Sequence, residues 1–299
     1  MTVNWQGVLP AITTPFKPDL SIDHDFLGQH ASWMVDAGSI GMVPGGSLGE
    51  AATLSATEKL DVIRTLVQAH GDRAPVVTGV AALATADAVD FVRRAEQAGA
   101  SGFMVLPPYV YLGDEREMRA YVSAIISATS LPCMLYNNPL AYGTDFKPET
   151  IAALAEQHAN LAAVKESSSD IRRITAIRAL IGDRLEILVG VDDAIVEGVG
   201  AGAVGWIAGL VNAFPRESVV LYELARAGRH AEAAELYRWF LPLLRLDIGI
   251  KFVQYIKLVQ ELVGRGNARV RGPRLEVVGE ERRMVEAVLE KALATRPTV

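Results

Sequence analysis

Short apolar runs separated by longer amphipathic segments recur along the first two-thirds of the chain, and this alternation restricts the fold more than any other feature. A run that is apolar throughout must be covered on both faces, and an amphipathic stretch between two such runs is long enough for the crossover that parallel strands need. Eight runs can be counted: Val8–Thr13, Gly41–Pro44, Val76–Gly79, Gly102–Leu106, Cys133–Tyr136, Ala162–Lys165, Glu186–Val189 and Ala203–Ile207. Between them, Thr57–Ala69, Thr85–Ala98, Glu115–Ala128, Pro148–Gln157 and Asp170–Ile181 carry apolar residues at helical spacing. Ser55 followed by Glu58 has the form of a capping box, and Gly71, Gly99 and Gly182 stand just past helix ends. After the eighth run only helical patterns remain, over Glu217–Ala227, Ala231–Leu246, Ile250–Val263 and Glu280–Ala294. The expectation is a (β/α)₈ TIM barrel over residues 1–215, with residues 216–299 as a C-terminal helical extension packed on it as one structural unit.

The 299 residues would also divide into two average domains, but α/β barrels of this size are common as single units. Half the residues are hydrophobic and 21% are charged, enough apolar material for a large core. With a net charge of −6 and scattered Lys and Arg, the chain has no basic stripe, which excludes nucleic acid and anionic lipid surfaces as partners. The single cysteine, Cys133, lies inside an apolar run and reads as a small buried hydrophobe, in keeping with a reducing, cytoplasmic setting. Met1–Phe16 shows neither a basic n-region nor an unbroken apolar stretch. Gly198–Pro215 is uncharged, but its five glycines, Asn212 and Pro215 point to a buried strand and loop rather than a membrane span.

Active sites of such barrels lie at the carboxyl ends of the strands, so residues there draw attention. Lys165 closes the run Leu161–Val164; its stem would start inside an apolar barrel, where burial lowers an amine's pKa and makes it a neutral nucleophile for carbonyl carbon. A structural lysine paired with Glu166 satisfies the same spacing. Tyr136 ends the preceding run, and neighbouring strands lie about 4.8 Å apart, so its phenol can reach the amine and relay protons; a core tyrosine fits equally. Gly45-Gly46-Ser47-Leu48-Gly49 is a loop whose amides and Ser47 hydroxyl can cradle a carboxylate, or can simply turn the chain. No Gly-Lys-Ser/Thr follows, so it is no nucleotide loop. Gly200–Gly205 spells GxGxxG but precedes a strand instead of following one, the reverse of the dinucleotide context. The five histidines are dispersed, and Asp192-Asp193 has no evident partner, so no metal site is expected.

Taken together, Gly46-Ser47-Leu48-Gly49-Glu50-Ala51-Ala52-Thr53-Leu54, Tyr136-Asn137-Asn138-Pro139 and Val164-Lys165-Glu166-Ser167-Ser168-Ser169-Asp170 resemble, in order and spacing, three motifs of the dihydrodipicolinate synthase and N-acetylneuraminate lyase family. The resemblance runs from about Gly7 to Leu262. It implies a homotetrameric class I lyase without metal or cofactor, whose covalent imine forms on Lys165. Tyr136 would transfer protons, and Gly46, Ser47 and Leu48 would hold the carboxylate of a small 2-oxo acid. Ile207 and Tyr109 would line the substrate site. Three positions depart from the synthase: Leu48 replaces a hydroxyl, Val110 a relay tyrosine, and Ala141 a carboxylate-binding arginine. These departures favour a dehydratase, deaminase or aldolase of a 3-deoxy-2-oxo sugar acid or 4-hydroxy-1-pyrroline-2-carboxylate. The alternatives are 4-hydroxy-tetrahydrodipicolinate synthase, condensing pyruvate with aspartate semialdehyde, and a family member that binds 2-oxo acids without turnover.

Overall fold

The computed structural model describes residues 3–108 and 110–299. Seven strands form one parallel sheet: β1 (Val8–Pro10), β2 (Val77–Val80), β3 (Gly102–Val105), β4 (Cys133–Asn137), β5 (Leu161–Glu166), β6 (Glu186–Val189) and β7 (Gly205–Ala208). They follow the order β1-β7-β6-β5-β4-β3-β2. The two edges, β1 and β2, are joined by the remaining expected run, Gly41–Pro44. Met42 donates its amide to Pro75 O and accepts from Val77 N, both at 2.9 Å, while Val43 donates to Pro10 O at 2.8 Å and accepts from Ile12 N at 3.2 Å. The ring is thereby closed, which leaves no open sheet edge. Here the pairing is reduced to single bridges, Ala11 to Val43 and Met42 to Val76, because Pro10, Pro44 and Pro75 remove three amide donors from this side of the ring.

Most boundaries agree with the sequence pattern, with shifts at the ends. The last strand starts at Gly205, not Ala203, because Ala203 still belongs to the turn that closes the helix Ile195–Gly200, its amide bonded to Gly198 O at 2.9 Å. The helix expected from Asp170 begins at Arg172, and the Asp170 carboxylate instead accepts the Arg172 amide at 3.2 Å. Both halves of the Ser55–Glu58 capping box are formed. No helix of the described residues is long and apolar enough to cross a membrane.

The period of two along each strand sorts the side chains into two layers. Leu9, Val77, Met104, Met134, Ala163, Leu188 and Ile207 point into the barrel and form its inner core. Val8, Phe103, Cys133, Leu135, Val164, Ile187 and Trp206 point outward and pack with the surrounding helices. The C-terminal helices Pro215–Arg226, His230–Leu244, Phe252–Leu262 and Gly279–Ala294 add Val253, Ile256, Val259 and Leu289 to this outer core, alongside Ile12 and Phe16.

A buried ion pair is among the polar ties that cross that apolar interface. Lys257 Nζ, on the helix Phe252–Leu262, reaches Glu50 Oε1 at 2.8 Å and Thr14 O at 2.9 Å, and Glu50 Oε2 accepts the Arg271 amide at 3.1 Å. Glu50 is fully buried and holds the left-handed conformation, φ 56°, so this pair fixes the end of the loop that follows Gly41–Pro44. Removing one member of a buried pair leaves a desolvated charge. Glu50→Gln should therefore cost about 3 kcal/mol or more in denaturant unfolding; a loss under about 1 kcal/mol would show the tie to be dispensable.

Candidate active site

Alternation along β5 puts Lys165 on the same inward side as Ala163, two residues nearer the carboxyl end. The β4–β5 register sets it beside Tyr136. Its Nζ lies 4.2 Å from the centroid of the Tyr136 ring, and the residue is 6% exposed. Burial pulls the amine down to about 8, against the attraction of Asp247 and Asp192, which favours the charged form. Glu166 does not neutralise it. The adjacent residue on a strand faces the other way, and the Glu166 carboxylate is taken up by Asn137 Nδ2 at 3.2 Å, Ser168 N at 2.7 Å and Arg173 Nε at 3.4 Å.

Gly190, just beyond β6, makes the room that Lys165 occupies. A Cβ there would lie 2.0 Å from Ser167 Oγ and 2.5 Å from Lys165 Cε, closer than any unbonded carbon tolerates. The Tyr136 phenol is raised by burial, and Asn138, Ser167 and Ser47 counter that rise; its oxygen accepts from Asn138 Nδ2 at 2.9 Å. Asn138 also caps the short helix Pro139–Tyr142, its Oδ1 accepting the Ala141 amide at 3.0 Å. That helix carries the Tyr142 hydroxyl onto Ser47 Oγ, in a hydrogen bond, while the Tyr142 ring meets Tyr136 edge-on at 5.8 Å.

All these groups open on a cavity of about 480 Å³ at the carboxyl end of the barrel. Of the residues expected at the site, Lys165, Tyr136, Ser47, Leu48, Gly46 and Ile207 line it; Tyr109 lies outside the described residues. The turn begins at Gly45, in the left-handed region at φ 70°, and at Gly46 a Cβ would sit 3.1 Å from Met104 Cε, a close contact that a small shift of the methionine end would relieve. Of the three departures, Leu48 and Ala141 present carbon to the cavity, and Val110 is 93% exposed.

Two findings go beyond the sequence reading. Asp192, read there as lacking a partner, is buried and saturated. It accepts from Trp206 Nε1 at 2.9 Å, Gly209 N at 3.1 Å and Leu210 N at 2.8 Å, tying the end of β6 to the end of β7. Burial nonetheless holds its carboxyl up at about 6. Asp193 pairs with Arg245, Nε to Oδ2 at 3.4 Å. The second finding is Asp247, which the sequence reading missed; it faces the cavity from the junction between two tail helices. Burial and Asp192 push its carboxyl well up, Lys165 pulls it down, and Asp193 adds to the rise. Besides Lys165, the cation in the described wall is Arg274, on the segment joining the last two helices.

Comparison with known proteins places this geometry. The sequence profile of the Dihydrodipicolinate synthetase family matches residues 4–292. The 4-hydroxy-tetrahydrodipicolinate synthase of Rhizobium meliloti (strain 1021) is 34% identical over 278 residues, 92% of this chain and 93% of that one. Dihydrodipicolinate synthase from Aquifex aeolicus superposes with a TM-score of 0.92 at 28% identity, covering 96% of this chain and 98% of the other. YagE, a prophage protein of the dihydrodipicolinic acid synthase family from E. coli K12 in complex with pyruvate, superposes at 0.90 with 25% identity over 96% and 98%.

The Gly190 contact gives a direct check on the amine. Competitive amine labelling across pH, read by mass spectrometry, should titrate Lys165 near 8. In Gly190→Ala the displaced amine should move up toward the ordinary lysine range. An unchanged titration would show that the barrel mouth has room for the methyl group.

Proposed function

The chain belongs to the dihydrodipicolinate synthetase family, and from that premise we propose that it is a lyase whose Lys165 forms a covalent imine with a small 2-oxo acid. The observation that carries the reading is a desolvated primary amine at the barrel mouth, pulled down to about 8 and set over the Tyr136 ring, 4.2 Å from its centroid. At pH 7 an amine of ordinary pKa is neutral in only a few molecules per ten thousand; at 8 the share is about a tenth, a gain of a few hundredfold in competent nucleophile.

In this reading the lone pair of Nζ attacks C2 of the 2-oxo acid, and the ketone oxygen takes a proton to become a hydroxyl. That hydroxyl leaves as water once protonated, giving the imine. Tyr136 supplies and recovers these protons, with Ser47 and Tyr142 continuing the line of hydroxyls beyond it. The substrate carboxylate sits on the turn of Gly46, Ser47 and Leu48, where the Ser47 and Leu48 amides meet no acceptor among the described residues. Ile207 covers the barrel side. No cofactor or metal enters this scheme, and the family resemblance supports a homotetramer as the working assembly.

The fate of the imine depends on the rest of the cavity. Relatives named 4-hydroxy-tetrahydrodipicolinate synthase favour condensation with aspartate semialdehyde as a second reading. Against it, Ala141 brings a methyl group where that synthase would present an arginine, and a charge-assisted contact is worth about 1.5 to 3 kcal/mol, a factor of ten or more in capture. Leu48 and Val110 withdraw two further hydroxyls. The cavity also shows a carboxylate, Asp247, to any second substrate that carries its own negative charge. A single 2-oxo acid, or a cyclic imine that opens to one, with a leaving hydroxyl at C4 needs no such capture. We take the reaction to be dehydration or deamination of a 3-deoxy-2-oxo sugar acid or 4-hydroxy-1-pyrroline-2-carboxylate, with retro-aldol cleavage as its nearest variant.

Incubation with pyruvate and borohydride should add a reduced adduct to Lys165, and Lys165→Ala should show none. If a broad panel of 2-oxo acids left the lysine unmodified, the imine reading would fall.

The choice of reaction has its own assay. Purified protein with pyruvate and aspartate semialdehyde should condense them at least tenfold more slowly than it consumes the best of a panel of 4-hydroxy-2-oxo acids and 4-hydroxy-1-pyrroline-2-carboxylate. Efficient condensation with no turnover across that panel would establish the second reading. Tyr136→Phe should keep the fold and lower turnover of whichever substrate is found by about a hundredfold or more.

A further inference from the structure

Imine chemistry at C2 acidifies the hydrogens on C3, yet the groups assigned so far act only on the nitrogen, the departing oxygen and the carboxylate. Among the cavity groups still without an assigned task is a buried carboxylate. Asp247 comes from the junction between the helices His230–Leu244 and Phe252–Leu262, and its carboxylate is lowered directly onto Gly209 at the end of β7. A Cβ on Gly209 would fall 2.2 Å from Oδ1 and 2.6 Å from Oδ2, so only glycine admits it. Its Oδ1 is buried without a hydrogen-bond partner among the described residues. Leaving such an oxygen unpaired is unfavourable, and Asp192, the neighbouring carboxylate, is by contrast fully bonded.

The strand order shows which side of a substrate Asp247 meets. Lys165 on β5 and the turn after Gly41–Pro44 stand across the barrel from one another, and a 2-oxo acid bound to both lies along that diameter. One arc between them holds β4, β3 and β2, and Tyr136 rises from it. The other holds β6, β7 and β1, and Asp247 sits above it. Phenol and carboxylate therefore flank the bound substrate from opposite sides.

We propose that Asp247 is a further catalytic residue, the base that takes the C3 proton of the Lys165-bound imine and the acid that returns a proton to the group leaving C4. This rests on the imine reading and deepens it. The carboxylate removes H⁺ from C3; the C–H electron pair becomes the C2=C3 bond, and the C2=N pair moves onto nitrogen, giving an enamine. The nitrogen lone pair then re-forms C2=N, the C2=C3 pair becomes C3=C4, and the C4–O bond breaks, its electrons taking the proton from Asp247. Hydrolysis of the iminium by one water frees Lys165. The net change of this step is loss of water, and Asp247 ends as it began. Its buried setting raises the carboxyl well above the usual range, toward the region where one group serves in both forms.

The first half of this cycle needs no knowledge of the substrate, because pyruvate has exchangeable C3 hydrogens. In deuterium oxide, wild type should exchange the pyruvate methyl hydrogens catalytically, followed by proton NMR. Asp247→Asn should still give a borohydride adduct on Lys165 while exchange drops by about a hundredfold or more. Exchange within a few-fold of wild type in that variant would overturn the proposal, as would a wild-type protein that forms the adduct but exchanges nothing. Loss of the adduct together with exchange would also overturn it, since Asp247 would then act on Lys165 or on folding. Absence of the adduct in wild type is a different failure, that of the imine reading itself.

Discussion

Everything at the barrel mouth turns on keeping one amine out of water. Moving Lys165 from an ordinary lysine value down to about 8 corresponds to about 3 kcal/mol against its charged form. Three neighbours resist that shift: the Asp192 and Asp247 carboxylates and the face of the Tyr136 ring, whose quadrupole favours a cation. The balance is what makes the group useful. Without the carboxylates the amine would fall further and be a weaker nucleophile; without burial it would stay protonated. The apolar inner layer, Met134, Ala163, Leu188 and Ile207, sets one side of this balance, and loops beyond β6 and the tail set the other.

This dependence explains why tail and barrel cannot be considered separately. Glu50 and Lys257 pin the turn that carries Gly46, Ser47 and Leu48 to the helix Phe252–Leu262, and the junction just before that helix delivers Asp247. A shift of this helix would disturb the turn, the Lys165 charge balance and the carboxylate over Gly209 at once. Gly190 and Gly209 play matching parts at the ends of β6 and β7, each leaving out a side chain so that a charged group can occupy its place.

The parts of this arrangement written locally in the sequence were legible there. Strands announced themselves as apolar runs, and the alternating parity of β4 and β5 is enough to aim Tyr136 and Lys165 inward. Three motifs in the right order marked the family. Features that depend on distant segments were not legible. Gly41–Pro44 reads as a strand like the others, yet three prolines brought together in space reduce its pairing to single bridges. Asp192 looked partnerless because its donors lie fourteen or more residues away. Asp247 sits between two helical patterns, in a segment without any periodic signal, and only the folded tail reveals that it reaches the barrel mouth. The role of Tyr142 was hidden likewise, since Pro139-Leu140-Ala141-Tyr142 carries no recognisable chemistry until the Asn138 cap turns it toward Ser47.

Those same hidden residues make sense of the departures from the synthase pattern. Replacing a relay tyrosine by Val110, fully outside the cavity, should leave Ser47 without a hydroxyl partner, but the Tyr142 hydroxyl fills that place from the short helix after β4. Ala141, on that same helix, puts a methyl group in the wall where the synthase pattern has an arginine, and Asp247 faces the same cavity. In the proposed reading the missing arginine weakens capture of a second carboxylate, and Asp247 offers an oxygen to which a substrate hydroxyl can donate. Lys165, Tyr136 and Ser47 are kept, while Leu48 and Ala141 present carbon to the cavity. In the proposed reading, the sequence departures and the buried carboxylate together favour a substrate that brings its own leaving group over one that waits for a partner.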